Sequence, residues 1–212
     1  MHKLSVIIPL KDDEEEHIEL VKTLESISME DLLIDSLEII ISSEKGRALS
    51  LNIGAQKASG DYLWFLHADT EITKNNLTDL IKTIDKSPES LLFFDLSFCE
   101  PKSIFMKLNE IGLYFRSHIL KTPFGDQGFC IKKELFDKLG GYPENTEYGE
   151  DHIFIWKARQ NNIAIEPINS KIYTSARKYT KNGWVRTTLL HQYLWIKQAY
   201  PEWRKLHKMR KT

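Results

Sequence analysis

The sequence predicts an α/β fold with a mostly parallel sheet and helices on both faces. Short apolar, β-branched segments of strand length alternate along the chain with segments of helical period. No internal repeat or low-complexity tract interrupts this alternation, and a length of 212 residues suits one domain with a substantial core. We therefore expect a single domain over residues 1–180 and a helical extension of the same domain over residues 181–212.

The first part of the chain supplies three strands and three helices. Leu4–Leu10 is short and almost continuously apolar, which is typical of a strand that is buried on both faces. Glu14–Ser28 places apolar side chains at helical spacing behind acidic residues that favour a helix start. By the same criteria, the remaining elements are strands at Leu37–Ser42 and Tyr62–Leu66 and helices at Ala48–Ala58 and Asn76–Lys86.

The second part of the chain continues the pattern. The predicted strands are Leu91–Phe98, Gly128–Ile131, Ile163–Glu166 and Ile172–Thr174, and the predicted helices are Ile104–Leu120, one that ends at Gly140–Gly141, and Glu150–Gln160. Because helices separate most of the strands, most neighbouring strands are expected to run parallel. In such sheets, ligands bind at the carboxyl ends of the strands.

Composition and charge exclude several classes of protein. The 29 Lys and Arg balance 30 Asp and Glu, so nothing indicates binding to nucleic acid. The N-terminal apolar segment stops at Pro9, too early for a signal peptide, and no apolar segment approaches the roughly 20 residues that span a bilayer. Cys99 and Cys130 lie in apolar segments without C-x-x-C spacing. We therefore expect a cytoplasmic protein.

The C-terminal segment differs from the rest of the chain in charge. Residues 186–212 contain seven Lys or Arg and one acid, Glu202. From Trp203 onward, bulky apolar residues mix with basic ones, which suits peripheral contact with the inner face of an anionic membrane. A solvated helical tail explains the same residues equally well.

Two polar side chains follow the third strand directly. His67 and Asp69 are separated by one residue, so on an extended backbone both would face the same side at the carboxyl end of the strand. One carboxylate and one imidazole suit Mn²⁺ or Mg²⁺ whose remaining ligands are phosphate oxygens and water. The alternative is that Asp69 and Thr70 only begin a turn.

Glu150 and Asp151 open a predicted helix directly after Gly149. A carboxylate held at a helix start and aimed at a cleft suits a general base. Two acids in a first helical turn also suit capping and the helix dipole, so the pair alone decides nothing.

Two further segments carry groups that suit ligand binding. Asp126 and Gln127 lie between two glycines, where backbone can approach a hydroxyl-rich ligand closely, although a tight turn explains the glycines as well. Arg177 and Lys178 lie in a polar segment that suits phosphate binding or simple exposure to solvent.

Together, these segments resemble a known family. The matching blocks are Ser5–Pro9, Gly46–Ala48 with Asn52, Gly60–Thr70, Gly125–Gly128, Gly140–Pro143, Glu150–Asp151 and Thr174–Lys178. From Ser5 to about Leu190 the chain resembles the bacterial family 2 glycosyltransferases. It is most similar to a compact subgroup that carries Leu-His-Ala-Asp-Thr and Gly-Asp-Gln-Gly blocks, found here at Leu66–Thr70 and Gly125–Gly128.

The resemblance implies a GT-A fold and transfer of a sugar from a nucleotide diphosphate sugar to an acceptor hydroxyl, usually with inversion. It also implies that Asp69, with His67, holds a divalent cation, and that Asp151, or Glu150 in its place, deprotonates the acceptor. The acceptor is expected to be a saccharide or a lipid-linked molecule. Residues expected to bind donor or acceptor are Pro9, Asp12, Arg47, Asn52, Asp126, Gln127, Arg177 and Lys178.

The chain departs from the family pattern at two places. His67 stands where the family has the first acid of its D-x-D element, as it does in the subgroup. The second strand leads directly into Gly46–Arg47, without the acidic turn that normally helps to hold the nucleobase. A non-catalytic relative that binds nucleotide sugar or a partner is therefore an alternative. A nucleotidyltransferase is another, although the acidic segment Lys11–Glu16 would repel a triphosphate.

Overall fold

The computed structural model describes residues 2–10, 17–27, 34–99, 104–146, 148–175 and 183–211. Within these ranges, six strands form one mixed sheet in the order β2-β1-β3-β5-β4-β6. The strands are β1 Lys3–Pro9, β2 Ser36–Ser42, β3 Tyr62–Phe65, β4 Leu91–Phe98, β5 Cys130–Lys132 and β6 Ile165–Thr174. The helices are α1 His17–Glu25, α2 Arg47–Lys57, α3 Lys74–Lys86, α4 Ile104–Tyr114, α5 Lys133–Lys138, α6 Glu150–Gln160 and α7 Trp184–Met209.

Helices cover both faces of the sheet, and alternate side chains of each strand point to opposite faces. In β1, Val6 and Ile8 pack in a core with Leu24 of α1 and Leu80 of α3. Ile7 packs on the other face, in a second core with residues of α2, α5 and α6. The predicted α/β fold with helices on both faces is confirmed.

β5 is the antiparallel strand of the sheet. β1 pairs with β2 and β3 in parallel, and β4 pairs with β6 in parallel, whereas β5 runs against both β3 and β4. The residues that precede β5 therefore lie at the edge where β1 and β3 end. A 3-10 turn at Gly125–Gln127 occupies this position, so β5 brings its leading turn to the edge where ligands bind in such sheets.

Most predicted elements are confirmed, with shifts of one or two residues at their ends. One prediction is wrong: the two short strands expected near Ile163–Glu166 and Ile172–Thr174 are the single strand β6. Polar residues such as the exposed Asn169 interrupt the apolar pattern in its middle, where the pairing with β4 also shifts register. Part of the helix predicted at Glu14–Ser28 and the domain boundary predicted at residue 180 fall outside the described residues.

α7 packs on α6 from Trp195 onward, about the second half of its length. Gln198 Nε2 donates to the carbonyl of Tyr148 at 2.6 Å, and Gln160 Nε2 donates to a Glu202 carboxylate oxygen at 2.9 Å. Leu206 is buried near the end of the helix, beyond Pro201, which lies inside the helix. No helix among the described residues is long and apolar enough to cross a membrane.

Candidate active site

A cleft of about 1200 Å³ opens at the carboxyl ends of β1 and β3. Distant parts of the chain meet there, including the end of β1, the start of α2, the turn after β3 and the start of α6. Seven residues that the sequence singled out line its wall, namely Pro9, Arg47, His67, Asp69, Asp126, Glu150 and Asp151. Asp12, Arg177 and Lys178 lie outside the described residues, so their roles stay predictions.

Asp151 is held rigidly at the first turn of α6. The backbone N–H of Gly125 donates to Asp151 Oδ2 at 2.5 Å, and the N–H of His152 donates to Oδ1 at 2.8 Å. A Cβ at Gly125 would lie 2.9 Å from Asp151 Cβ, so this approach of turn and helix requires glycine. Each carboxylate oxygen keeps a second lone pair for a ligand.

Arg47 joins two other predicted site residues. Its Nη1 donates to Glu150 Oε1 at 3.0 Å, and its Nη2 contacts His67 Nε2. The guanidinium of Arg47 therefore lies between Glu150 and His67. Glu150 is thus paired with a cation, whereas Asp151 is bonded only to backbone N–H groups among the contacts described.

The turn after β3 differs from the extended backbone that the sequence suggested. β3 ends at Phe65, and the N–H of Thr70 donates to the carbonyl of His67 at 3.1 Å, which closes a turn. The expectation that His67 and Asp69 lie on extended backbone is wrong, although both side chains line the cleft. Asp69 Oδ2 accepts a hydrogen bond from Thr174 Oγ1 at 3.3 Å, at the end of β6.

The donor set for a cation is small. Among the described residues, no three His, Cys, Asp or Glu side chains are grouped closely enough to hold a metal ion. His67 Nε2 already contacts Arg47, so Asp69 is the better placed of the two predicted ligands. One carboxylate fits Mg²⁺ or Mn²⁺ when phosphate oxygens and water complete the coordination shell.

Gln127 and Asn52 do not line the cleft within the described structure. Gln127 is 1 % exposed; its Nε2 donates to Phe94 O at 2.9 Å, and its Oε1 accepts from Ser117 Oγ at 2.8 Å. Asn52 exchanges two hydrogen bonds of 2.9 Å with the backbone of Tyr142. Both side chains therefore hold neighbouring backbone segments in place. The sequence predicts instead that they contact the donor or the acceptor.

Gln127→Leu is expected to lower the free energy of unfolding by about 2 kcal/mol or more, because buried partners lose their hydrogen bonds. The matched control is Gln192→Leu, at an exposed residue of the cleft wall, with an expected change of about 0.5 kcal/mol or less. Chemical denaturation of both variants measures the difference. If Gln127→Leu had normal stability but no longer bound a nucleoside diphosphate, Gln127 would instead be a ligand-binding residue.

Two residues of the cleft wall were not anticipated. Arg116 is buried, with its guanidinium carbon 3.3 Å from the ring centre of Phe124 and its Nε donating to Thr122 O at 3.0 Å. Burial lowers the pKa of His152 to about 4, from a usual value of 6.5, so the ring stays neutral and accepts from Trp156 Nε1 at 3.0 Å. The one sequence hint was an arginine within residues 111–120, a segment that is mostly apolar.

Several solved structures share the fold that positions this cleft. Similar solved structures include S. aureus TarS 1–349 (TM-score 0.63, 18 % identity, covering 83 % of this chain and 61 % of that chain). They also include the same protein in complex with UDP-GlcNAc (TM-score 0.60, 20 % identity, covering 82 % of this chain and 59 % of that chain). GalNAc-T7 with UDP, GalNAc and Mn²⁺ is similar as well (TM-score 0.60, 16 % identity, covering 82 % of this chain and 44 % of that chain). At these identities the likeness shows the fold, which is that of the GT-A glycosyltransferases.

A sequence model of glycosyl transferase family 2 matches residues 12–142 of the chain. The chain therefore belongs to this family. A Haemophilus influenzae protein described as an uncharacterized glycosyltransferase is 25 % identical over 124 residues, which cover 56 % of this chain and 42 % of that protein. The chain thus matches less than half the length of this relative.

Proposed function

We propose that the chain transfers a sugar from a nucleoside diphosphate sugar to an acceptor hydroxyl. The observation that carries the proposal is the meeting of Asp69 and Asp151 in one cleft, with Asp151 fixed by two backbone N–H groups. Membership of family 2 supports glycosyl transfer. The likeness to structures solved in complex with UDP-GlcNAc and with UDP supports a nucleotide sugar as donor.

Asp151 is the general base in this proposal. Glu150 is paired with Arg47 at 3.0 Å, whereas Asp151 keeps lone pairs that an acceptor hydroxyl can meet. A carboxylate that removes the proton of the attacking hydroxyl supports a single displacement at the anomeric carbon. Such a displacement inverts the configuration of the transferred sugar.

The proposal includes a divalent cation, Mn²⁺ or Mg²⁺, with Asp69 as its protein ligand and His67 beside it. When bound, such a cation neutralises charge that develops on the leaving diphosphate. The guanidinium of Arg47, on the same wall, supplies positive charge of its own. The similar structure of GalNAc-T7 was solved with Mn²⁺, in keeping with a cation here.

Other parts of the wall are assigned to the donor and acceptor. Pro9 and Asp126 line the cleft, and Asp12, Arg177 and Lys178 complete the proposed set. The short connection from β2 to α2, residues 43–46, also lines the cleft. It lies where the acidic turn of the family would be expected, so we assign the nucleobase to this connection.

We further propose an acceptor that is a saccharide or is lipid-linked, and a cytoplasmic place at the inner face of the membrane. The thiols of Cys99 and Cys130 are free, in keeping with a reducing compartment.

The test is incubation of the protein with a panel of UDP- and GDP-sugars and Mn²⁺, following both binding and release of the nucleoside diphosphate. We expect one donor to bind and to be consumed, slowly with water alone and faster with the correct acceptor. Binding without any turnover would favour the non-catalytic alternative. Pyrophosphate release from a nucleoside triphosphate and a sugar phosphate would favour a nucleotidyltransferase.

A further inference from the structure

α4, with its π-helical continuation Phe115–Ile119, exposes a continuous apolar strip. Five of its large apolar side chains are between 52 % and 71 % exposed. They follow one another at intervals of four, three, four and four residues, which places them on one side of a helix. We call these residues the α4 stripe: Ile104, Leu108, Ile111, Phe115 and Ile119.

α7 exposes a second apolar strip. Six of its large side chains are between 45 % and 65 % exposed, and they recur at intervals of four, four, three, four and three residues. The residues of α7 that are buried, Thr187 and Leu206, belong to a different side of the helix. We call the exposed residues the α7 stripe: Val185, Leu189, Tyr193, Ile196, Tyr200 and Trp203.

The two helices contact each other near their N-terminal ends, and both border the cleft. The rings of Phe105 and Trp184 are 4.8 Å apart, and Thr188 Oγ1 donates to Asn109 Oδ1 at 3.4 Å. Residues of both helices line the cleft, among them Leu108 of the α4 stripe. The exposed apolar surface therefore continues to the wall of the proposed active site.

The charged residues that border the α7 stripe directly are basic. At 100° per residue, Arg186, Lys197, Arg204 and Lys208 lie together along one edge of the α7 stripe. The described residues of the two helices contain two acids. Glu110 accepts from Ser97 Oγ at 2.5 Å and from Phe98 N at 3.0 Å. Glu202 accepts from Gln160 and pairs with Lys205 at 2.6 Å, so both acids are bonded to other groups of the chain.

We propose that the α4 and α7 stripes dock the protein on the surface of an anionic lipid bilayer. Aliphatic side chains with Tyr and Trp beside a row of Lys and Arg are the chemistry that suits the boundary between lipid headgroups and acyl chains. A second copy of the chain fits less well. It would bring four cations from each copy to a single interface, where like charges repel.

Docking through these helices sets the substrate class of the cleft. An acceptor anchored by its own lipid tail would present its polar head at the membrane surface, beside the cleft that both helices border. This assignment rests on the proposed function, whereas the docking itself does not. It also differs from attachment by the basic tail after Trp203, because most of the apolar contact comes from α4 and from α7 before that residue.

The test is sedimentation of the full chain with vesicles of phosphatidylcholine alone or of equal parts phosphatidylcholine and phosphatidylglycerol. Salt is set at about 0.1 M and about 1 M, where the screening length falls from about 10 Å to about 3 Å. The α4 variant carries Ile104→Ser, Ile111→Ser and Phe115→Ser; the α7 variant carries Leu189→Ser, Tyr193→Ser and Ile196→Ser. The matched control carries Ile18→Ser and Ile41→Ser, which are exposed on α1 and β2.

We expect the unchanged protein and the control to sediment with the anionic vesicles at low salt, and each stripe variant to bind at least about tenfold more weakly. Arg186→Gln, Lys197→Gln and Arg204→Gln together should weaken binding at low salt only. Brominated lipid should quench the tryptophan fluorescence of the bound protein, and the quenching should be smaller in Trp203→Phe. This measurement tests the docking without relying on the stripe variants.

Three results would overturn the docking proposal. The first is an unchanged protein that stays in the supernatant with anionic vesicles, and the second is a pair of stripe variants that sediment normally. The third is a dimer in solution that the stripe substitutions dissociate, because the surface would then join two copies. UDP binding is measured on every form as a check of folding. Failure of the unchanged protein to bind either UDP or GDP would contradict the proposed function and leave the docking result standing.

Discussion

Asp151→Asn is expected to lower sugar transfer by about two orders of magnitude or more, the scale for loss of a general base. The amide cannot take a proton from an acceptor hydroxyl or from water. The affinity for UDP should change little, because the substitution keeps the size of the side chain. Initial rates of nucleoside diphosphate release, together with UDP affinity by calorimetry, measure the two effects separately.

Asp151→Asn is also expected to lower the stability of the protein, so the experiment needs a control that separates lost stability from lost catalysis. Asp151 accepts from two backbone N–H groups, one on each oxygen, and asparagine has only one acceptor oxygen. We therefore expect a loss of about 1–3 kcal/mol in the free energy of unfolding. Glu150→Gln is the matched control, since it changes the neighbouring acid in the same way. If Glu150→Gln abolished transfer and Asp151→Asn did not, the base would be Glu150.

Asp69→Asn is expected to remove the part of UDP affinity that depends on a divalent cation. In the unchanged protein, Mn²⁺ should raise the affinity by at least about tenfold, or about 1.4 kcal/mol. The variant should bind UDP equally with and without Mn²⁺, because a neutral amide is a poorer ligand for a hard cation. Calorimetric titration with UDP, with Mn²⁺ present or chelated, gives both values.

The control for this variant lies at the opposite end of β3. Asp61 precedes β3, at the end away from the cleft, and its Oδ2 accepts from Lys3 N at 3.2 Å. Asp61→Asn should keep the full response to Mn²⁺. If the unchanged protein bound UDP with the same affinity whether or not Mn²⁺ was present, Asp69 would have no cation to hold. The positive charge at the diphosphate would then fall to Arg47.

The periodicity of apolar residues was enough to predict most of the fold. Buried strands such as β1 and β4 and helices such as α3 are long enough for their period to be clear. The sequence predicts two strands in place of β6 because the middle of β6 carries exposed polar residues. The direction of β5 cannot be derived from a strand of three residues. Strand direction depends on which neighbour a strand pairs with, and that is a tertiary property.

The candidate site was predictable where it follows from sequence blocks and unpredictable where it depends on contacts across the chain. Asp69 and Asp151 can be predicted because each lies in a sequence block close to a regular element, Asp69 in the turn after β3 and Asp151 in the first turn of α6. The sequence predicts ligand contact for Gln127 because its hydrogen-bond partners, Phe94 and Ser117, lie elsewhere in the chain and cannot be inferred from the block that contains it. Arg116 was missed for the same reason, since its stacking on Phe124 exists only in the folded chain.

The packing of α7 has a consequence for how the protein is made. α7 supplies Trp184, Trp195 and Gln198 to the cleft, and Gln198 bonds Tyr148 just before the start of α6. Domains form as units while the chain leaves the ribosome from its N-terminus. The sheet and helices up to α6 can assemble first, but the cleft lacks one wall until residues 184–198 have emerged and docked. Nascent chains that stop before this point would carry Asp69 and Asp151 and still have an incomplete cleft.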